Sequence, residues 1–186
     1  MLRHDRLYFW GAHILIVAAN VFAWLYQNHI YGFVLTASIA AAAIMHNEKV
    51  SRRRATIDLI MKREVDAQLT KSQEIVSGLN ADKLQELAIK LKSSVYDGVD
   101  DPNEDDLEQI KAIYHVLNWY EFVSTGIREG ALDYKIFWRN YCTLTIGDWE
   151  HIKPFVIQYR NDRQKNTYFK EFCWLASNFK KYPLKR

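Results

Sequence analysis

The chain divides into two hydropathy regimes. Leu7 to Tyr26 (LYFWGAHILIVAANVFAWLY) holds no Asp, Glu, Lys or Arg, and it matches the ~20 residues a helix needs to cross a bilayer core. Tyr8 and Trp10 stand at one end, Trp24 and Tyr26 at the other, where aromatic side chains anchor among headgroups. After the polar break Gln27-Asn28-His29 comes a second uncharged run, Ile30 to Met45 (IYGFVLTASIAAAAIM). As a helix that run spans about 24 Å against a core of ~30 Å, so His29 and His46 must extend it or the bilayer must thin. The two runs predict a transmembrane hairpin, with spans at 7–26 and 30–45 inside a first domain of residues 1–48.

From Val50 onward the pattern changes. Ile57, Ile60, Met61, Val65, Leu69, Val76 and Leu79 recur every three or four residues, which predicts one amphipathic helix running out of the second span to Ser77-Gly78. Asn80 is suited to cap the next helix, with Leu84, Leu87, Ala88 and Leu91 as its apolar stripe and Asp97-Gly98 as its end. A long helix is predicted over Asn103–Glu129, closed by Gly130. Leu107, Ile110, Ile113, Val116, Leu117, Tyr120, Val123 and Ile127 cover most of its circumference, as befits a central helix. Asp133 caps DYKIFWRNYCTLTI, Gly147 is read as an interruption, and Asp148 as the cap of a short segment to Ile152. Pro154 is read as the start of PFVIQYRND. A last helix over Gln164–Lys180 turns Tyr168, Phe172, Leu175 and Phe179 inward. The expected fold is all-α: a two-helix transmembrane hairpin, then a cytoplasmic α-helical bundle of about five to six helices over residues 49–186.

Charge sets the orientation. Arg3 and Arg6 precede the first run, Lys49, Arg52, Arg53 and Arg54 follow the second, and the connection has no Lys or Arg. Both termini are therefore expected in the cytoplasm of a multi-pass bacterial inner-membrane protein. A signal peptide cleaved near Ala18-Ala19 fits less well, because the run exceeds the usual ~7–15-residue apolar region and a second run follows at once. Arg52, Arg53 and Arg54 are expected at the headgroups, making membrane lipid a partner. Hydrophobic residues are 49% of the chain while its mean hydropathy is −0.27, values that coexist because the apolar residues crowd the first regime. The net charge of +3 gives no case for nucleic acid. The stretch from Arg160 to Arg186 has eight Lys/Arg and two acids, and reads as a solvated or membrane-facing surface.

Small and polar residues inside the spans suggest packing. His13 and Asn20 share a helix face, and Gly32, Thr36 and Ala40 repeat every four residues. That stripe lets helices approach closely within the hairpin or between protomers of a homo-oligomer, with Thr36 or Ser38 reaching Asn20.

Catalytic chemistry is harder to find. Cys142 and Cys173 make no disulfide framework, the six histidines are scattered, and no metal motif or phosphate loop appears. DGVDDPNEDDLE (97–108) is acidic, but Val99 and Pro102 occupy calcium-loop positions that need a ligand and a glycine. A polar line (Tyr114, Asn118, Glu121, Thr125, Arg128) runs along the long helix. Glu121 is expected to be partly buried against Arg139 or Arg160. Glu121, Arg128 and Arg160 are the candidate ligand- or partner-binding residues. No catalytic residue, metal site or cofactor is expected.

ATIDLI (55–60), NWYEFVSTGIREGALDYKIFWR (118–139) and DWEHIKPFVIQYR (148–160) resemble a bacterial and prophage family of membrane-anchored helical proteins, the domain of unknown function 4760 family. The resemblance implies a helical fold, membrane anchoring and a phage-linked setting, and it carries over no site residue. The expected function is that of a non-enzymatic, oligomeric inner-membrane protein. Its cytoplasmic domain binds another membrane or phage protein, in phage exclusion or phage defence. The alternatives are a membrane-permeabilising effector and a ligand-sensing membrane-bound regulator.

Overall fold

The computed structural model describes residues 14–22, 24, 29–96 and 102–184, helical with no strand among them. The helices are α1 (residues 14–22), α2 (His29–Glu64), α3 (Ala67–Ser77), α4 (Ala81–Tyr96), α5 (Glu104–Arg128), α6 (Tyr134–Arg163) and α7 (Lys170–Lys181). The chain forms two compact units, Met1–Ser51 and Arg52–Arg186, and the boundary falls inside α2.

In the first unit the expected membrane hairpin is not found as such. Among the described residues no helix is long and apolar enough to cross a membrane. The run 7–26 lies partly outside the described residues. The run 30–45 is not a span of its own but the opening of the 36-residue helix α2, which meets Glu48 and Lys49 within a turn of Met45. Ala19 and Gly32 are buried, whereas Phe33, Val34, Leu35, Ile44 and Met45 are exposed, as are Ile14, Leu15, Val17, Val21 and Trp24. The polar groups bond within their own helices. Asn20 Nδ2 donates to the Ile16 carbonyl, Thr36 Oγ1 to Gly32 and Ser38 Oγ to Val34, each at 2.8 Å. A short side chain in a helix finds the carbonyl four residues back more readily than a partner helix, so the expected meeting of Thr36 or Ser38 with Asn20 does not occur.

The second unit is a helical bundle with interleaved pairing: α3 packs on α5, α4 on α6, and α7 on both α5 and α6. Several helix ends fall where capping chemistry predicts. Asn103 Oδ1 accepts from Asp106 N at 2.8 Å, Asp133 Oδ1 from Ile136 N at 3.1 Å, and Asn80 Oδ1 from Lys83 N at 2.8 Å. Gly130 closes α5 at φ +74, a left-handed conformation that glycine adopts without a Cβ penalty.

Three boundaries differ from expectation. The helix expected to run unbroken to Ser77 stops at Glu64, and Asp66 starts α3 by accepting from Leu69 N at 2.9 Å. Helix α6 runs straight through Gly147 and Pro154. Proline inside a helix costs about 3 kcal/mol. Here Trp149, Ile152, Phe155, Val156 and Tyr159 are all buried on one face, and a burial of about 1.5–3 kcal/mol for each large side chain outweighs it. Helix α7 starts at Lys170 rather than Gln164, because Gln164 (φ 51) and Phe169 (φ 52) are both left-handed and enclose a turn. The inward stripe of Phe172, Leu175 and Phe179 is fully buried.

Rings dominate the core. Tyr120 stacks on Phe172 at 4.2 Å and 4°, and Trp149 meets Phe172 edge-on at 5.1 Å. Phe137 stacks on Tyr141 at 5.0 Å.

Candidate functional site

Inside the second unit, four helices bring polar groups together amid this apolar packing. Asp148, on α6, accepts from the Tyr120 hydroxyl of α5 at 2.7 Å and from Gln73 Nε2 of α3 at 3.4 Å, both on Oδ2. Gln73 in turn accepts a short hydrogen bond from Arg63, near the end of α2. The guanidinium thus reaches the carboxylate only through an amide. It lies over the rings of Trp119 (5.9 Å) and Tyr141 (5.4 Å), where a cation is attracted by the π-face. Its Nε is buried, with no acceptor among the described residues.

This environment sets the titration of its acids. Burial pushes the Asp148 carboxyl above the ordinary carboxylate range, and the Tyr120 hydroxyl, Arg63, Gln73 and His151 pull the other way without prevailing. Burial, then the Asp148 charge, holds the Tyr120 phenol far above its usual value. Tyr141 donates to Glu64 Oε1 at 2.7 Å, and is pushed up to about 12, by burial first and that bond second. A pocket of about 100 Å³ opens beside the network, bounded by Gln73, Ser77, Asp148 and His151 with Val116 and Ile152 as apolar walls. It has room for a few waters or a ligand of a few heavy atoms. His151 Nε2 donates to the Val76 carbonyl at 2.9 Å, which fixes its ring. The group can accept hydrogen bonds, hold a proton and bind a small polar molecule. The Ser77 hydroxyl donates to the Glu74 carbonyl at 2.8 Å.

The three residues singled out by sequence lie elsewhere. Glu121 Oε1 and Oε2 accept from Glu171 N (3.2 Å) and Phe172 N (2.8 Å), so the partner of this carboxylate is the first turn of α7 and not Arg139 or Arg160. Arg128 Nη1 donates to both Glu171 oxygens, at 2.9 and 2.7 Å, and lies over Trp174 at 5.3 Å. Arg160 clamps the left-handed turn, donating to the Tyr168 carbonyl at 2.9 and 2.7 Å and to Phe169 at 3.3 Å. All three hold α7 and its entry turn.

Arg53 pairs with Asp133 at 3.5 Å, Arg52 reaches the Gly130 turn, and Arg54 is exposed. The buried Thr56 hydroxyl joins the same corner, donating to the Arg52 carbonyl at 2.8 Å and accepting from Asp133 N at 2.7 Å. In the first unit Gly32 is buried, Thr36 half-buried and Ala40 exposed, while His13 lies outside the described residues. The acidic stretch is described only from Pro102 onward. There Asp106 pairs with Lys83 and Lys90, and Glu108 with Lys71. Among the described residues no group of three or more His, Cys, Asp or Glu is placed to hold a metal ion.

Sequence reasoning took Asp148 for a helix cap, whereas it lies inside α6, and missed Arg63 and Gln73. The available signal was the Gln-x-x-Val-Ser end of α3 facing an acid beside Trp149, a pairing across 75 residues that no local pattern reveals.

No curated protein and no solved structure matches the chain. The family model described as a domain of unknown function, DUF4760, matches residues 14–179. That match runs from α1 to the last buried ring of α7 and takes in the whole polar network: the chain belongs to the DUF4760 family.

Proposed function

We propose that the protein is a non-enzymatic, oligomeric protein of the bacterial inner membrane. Its first unit is the anchor, both termini are cytoplasmic, and the helical second unit binds another protein or a second copy. The observation that carries this reading is the first unit's surface. Phe33 (76% exposed), Met45 (71%) and Trp24 (75%) head a set of large exposed apolar side chains in the uncharged stretches of the first unit. An apolar surface of that extent is stable when lipid or another protein covers it. Gly32 is buried within the chain, and the half-buried Thr36 and exposed Ala40 of the same stripe leave room for close helix approach between copies. A setting in phage exclusion or phage defence follows from the resemblance alone.

The test is fractionation followed by native mass spectrometry of the full chain. Retention in carbonate-washed membranes and an oligomer in detergent are expected. Release by carbonate, or a monomer, overturns the anchored or the oligomeric part respectively. Dye release from vesicles carrying the protein would favour a permeabilising effector instead. In cells, lower plating efficiency of phage with the protein than without it supports the phage setting, and equal plating removes it.

The pocket at Asp148 favours a second reading, a ligand-sensing regulator, with the ligand at Gln73, Asp148 and His151 rather than at Glu121, Arg128 and Arg160. Asp148→Asn that abolishes the cellular effect while keeping the melting temperature would support it. An unchanged effect would remove it.

A further inference from the structure

One end of the second unit, the end carrying its first residue, is built from three segments distant in sequence. Arg52 meets the Gly130 turn and Arg53 pairs with Asp133, so the start of this unit lies on the α5–α6 turn. Tyr134, in the first turn of α6, packs edge-on against Phe179 at 5.5 Å. One turn on, the Trp138 indole N–H donates to the Tyr182 carbonyl at 2.9 Å, which ties the end of α7 to the same corner. Lys181 lies over the Tyr182 ring at 5.4 Å.

The charges here are one-sided. Arg52, Arg54, Lys135, Arg139 and Lys181 are exposed, and among the described residues none has a carboxylate partner. Asp133 is engaged by Arg53 and by capping α6, and Glu150 pairs with Lys180, which leaves Glu129 and Asp58 as the unengaged opposing charges. The acids Glu104 and Asp105 stand at the other end of α5, about 35 Å away at 1.5 Å per residue. Apolar exposure accompanies the cations, with Tyr182 57% and Leu184 38% exposed. Exposed arginine and lysine interleaved with Trp and Tyr is the composition of a surface resting among headgroups.

We propose that this corner (Arg52–Arg54, the α5–α6 turn, the first turns of α6 and the end of α7) is a second membrane contact that rests on anionic lipid headgroups. The inference rests on the anchored reading above and extends it from a tether to a docked face. Continuity selects the occupant. The uncharged run ends at Met45, seven residues before Arg52 in the sequence, so anchoring through that run tethers these cations close to the bilayer. A soluble acidic partner would have to displace headgroups already in reach.

The experiment uses the full chain in nanodiscs of phosphatidylcholine, with or without phosphatidylglycerol, followed by hydrogen exchange. Amides over 134–139 and 179–184 exchange several-fold more slowly in the anionic discs. K135Q/R139Q/K181Q removes that difference while leaving the amides of 172–176 unchanged. Equal exchange of the corner in both lipids, with the protein incorporated in both, overturns the proposal and leaves the anchor standing. Failure to enter discs of either composition overturns the anchored reading and the proposal with it.

Discussion

The start of α5 and the middle of α6 each place a carboxylate out of water. At the first, Asp106 has a side chain 3% exposed, and its two oxygens lie 2.8 Å from Lys83 and 2.7 Å from Lys90, both on α4. Those ammonium groups hold the Asp106 carboxyl below its usual range, and Lys90 is raised in return. At the second, Asp148 has only a phenol and an amide in direct contact, and burial holds its carboxyl above the usual range. The difference lies in the partners. Flexible lysines reaching in from the surface fasten α4 to α5 and keep the acid ionised. Neutral donors fixed by aromatic packing leave a carboxyl that takes a proton more readily than an exposed one. The first arrangement is a fastening, and the second is the kind of site where perturbed titration and function coincide.

The largest expected effect comes from breaking the second region outright. Tyr120→Ala removes a fully buried ring that stacks on Phe172 and donates to Asp148. A loss of about 3–5 kcal/mol is expected in urea unfolding. Tyr120→Phe keeps the ring and loses only the hydroxyl, about 1 kcal/mol. Similar losses for the two would mean the hydroxyl, not the packing, holds the site. A third carboxylate sharpens the contrast, since Glu121 is satisfied by backbone N–H groups at a helix start. Glu121→Ala should cost about 1–2 kcal/mol and speed amide exchange at Glu171 and Phe172.

The pH dependence separates the two aspartates by sign. An unfolded Asp titrates near ~3.9. Because the folded Asp106 value lies lower, its contribution is present above that pH and is lost as pH falls through the folded value. Because the folded Asp148 value lies higher, its contribution is complete below that pH and is lost as pH rises through the folded value. Asp106→Asn should therefore destabilise at pH 7, by an amount that salt diminishes. Asp148→Asn, whose amide oxygen can still accept from Tyr120, should match or exceed the parent at pH 7 and fall behind in acid. Unfolding midpoints from pH 3 to 8 give both curves, and parallel curves would refute the contrast. The smallest effect is expected from Arg128→Gln, because the guanidinium is 44% exposed against Glu171. A change within about 1 kcal/mol is expected, and a larger one would mark Arg128 as part of something the isolated chain does not show.

What was legible beforehand follows from the range of the interactions. The caps at Asn80 and Asp133 are local, so the ends they set could be read from a few residues. The break at Asp66 was hidden because the apolar spacing of Ile57, Met61, Val65 and Leu69 runs across it. Gly147 and Pro154 misled in the other direction. Both weaken a helix locally, yet the buried face from Trp149 to Tyr159 keeps α6 whole. The polar network was the least legible part. Gln73 is an unremarkable amide on a helix, Tyr120 looks like one more core ring, and what makes them a site is contact between α3, α5 and α6.

The interleaved pairing of α3 with α5 and of α4 with α6 has a consequence for how the chain is made. In an up-and-down bundle each new helix docks on the one just synthesised. Here the apolar faces of α3 (Leu69, Val76) and α4 (Leu84, Leu87) wait for partners two helices later. Contacts of that separation slow folding, and they leave a nascent chain that has reached only Tyr96 with two greasy helices and nothing to cover them. Birth on the ribosome is thus the period of greatest exposure to aggregation and chaperone capture. That exposure ends when the rings of α6 arrive to shelter α4.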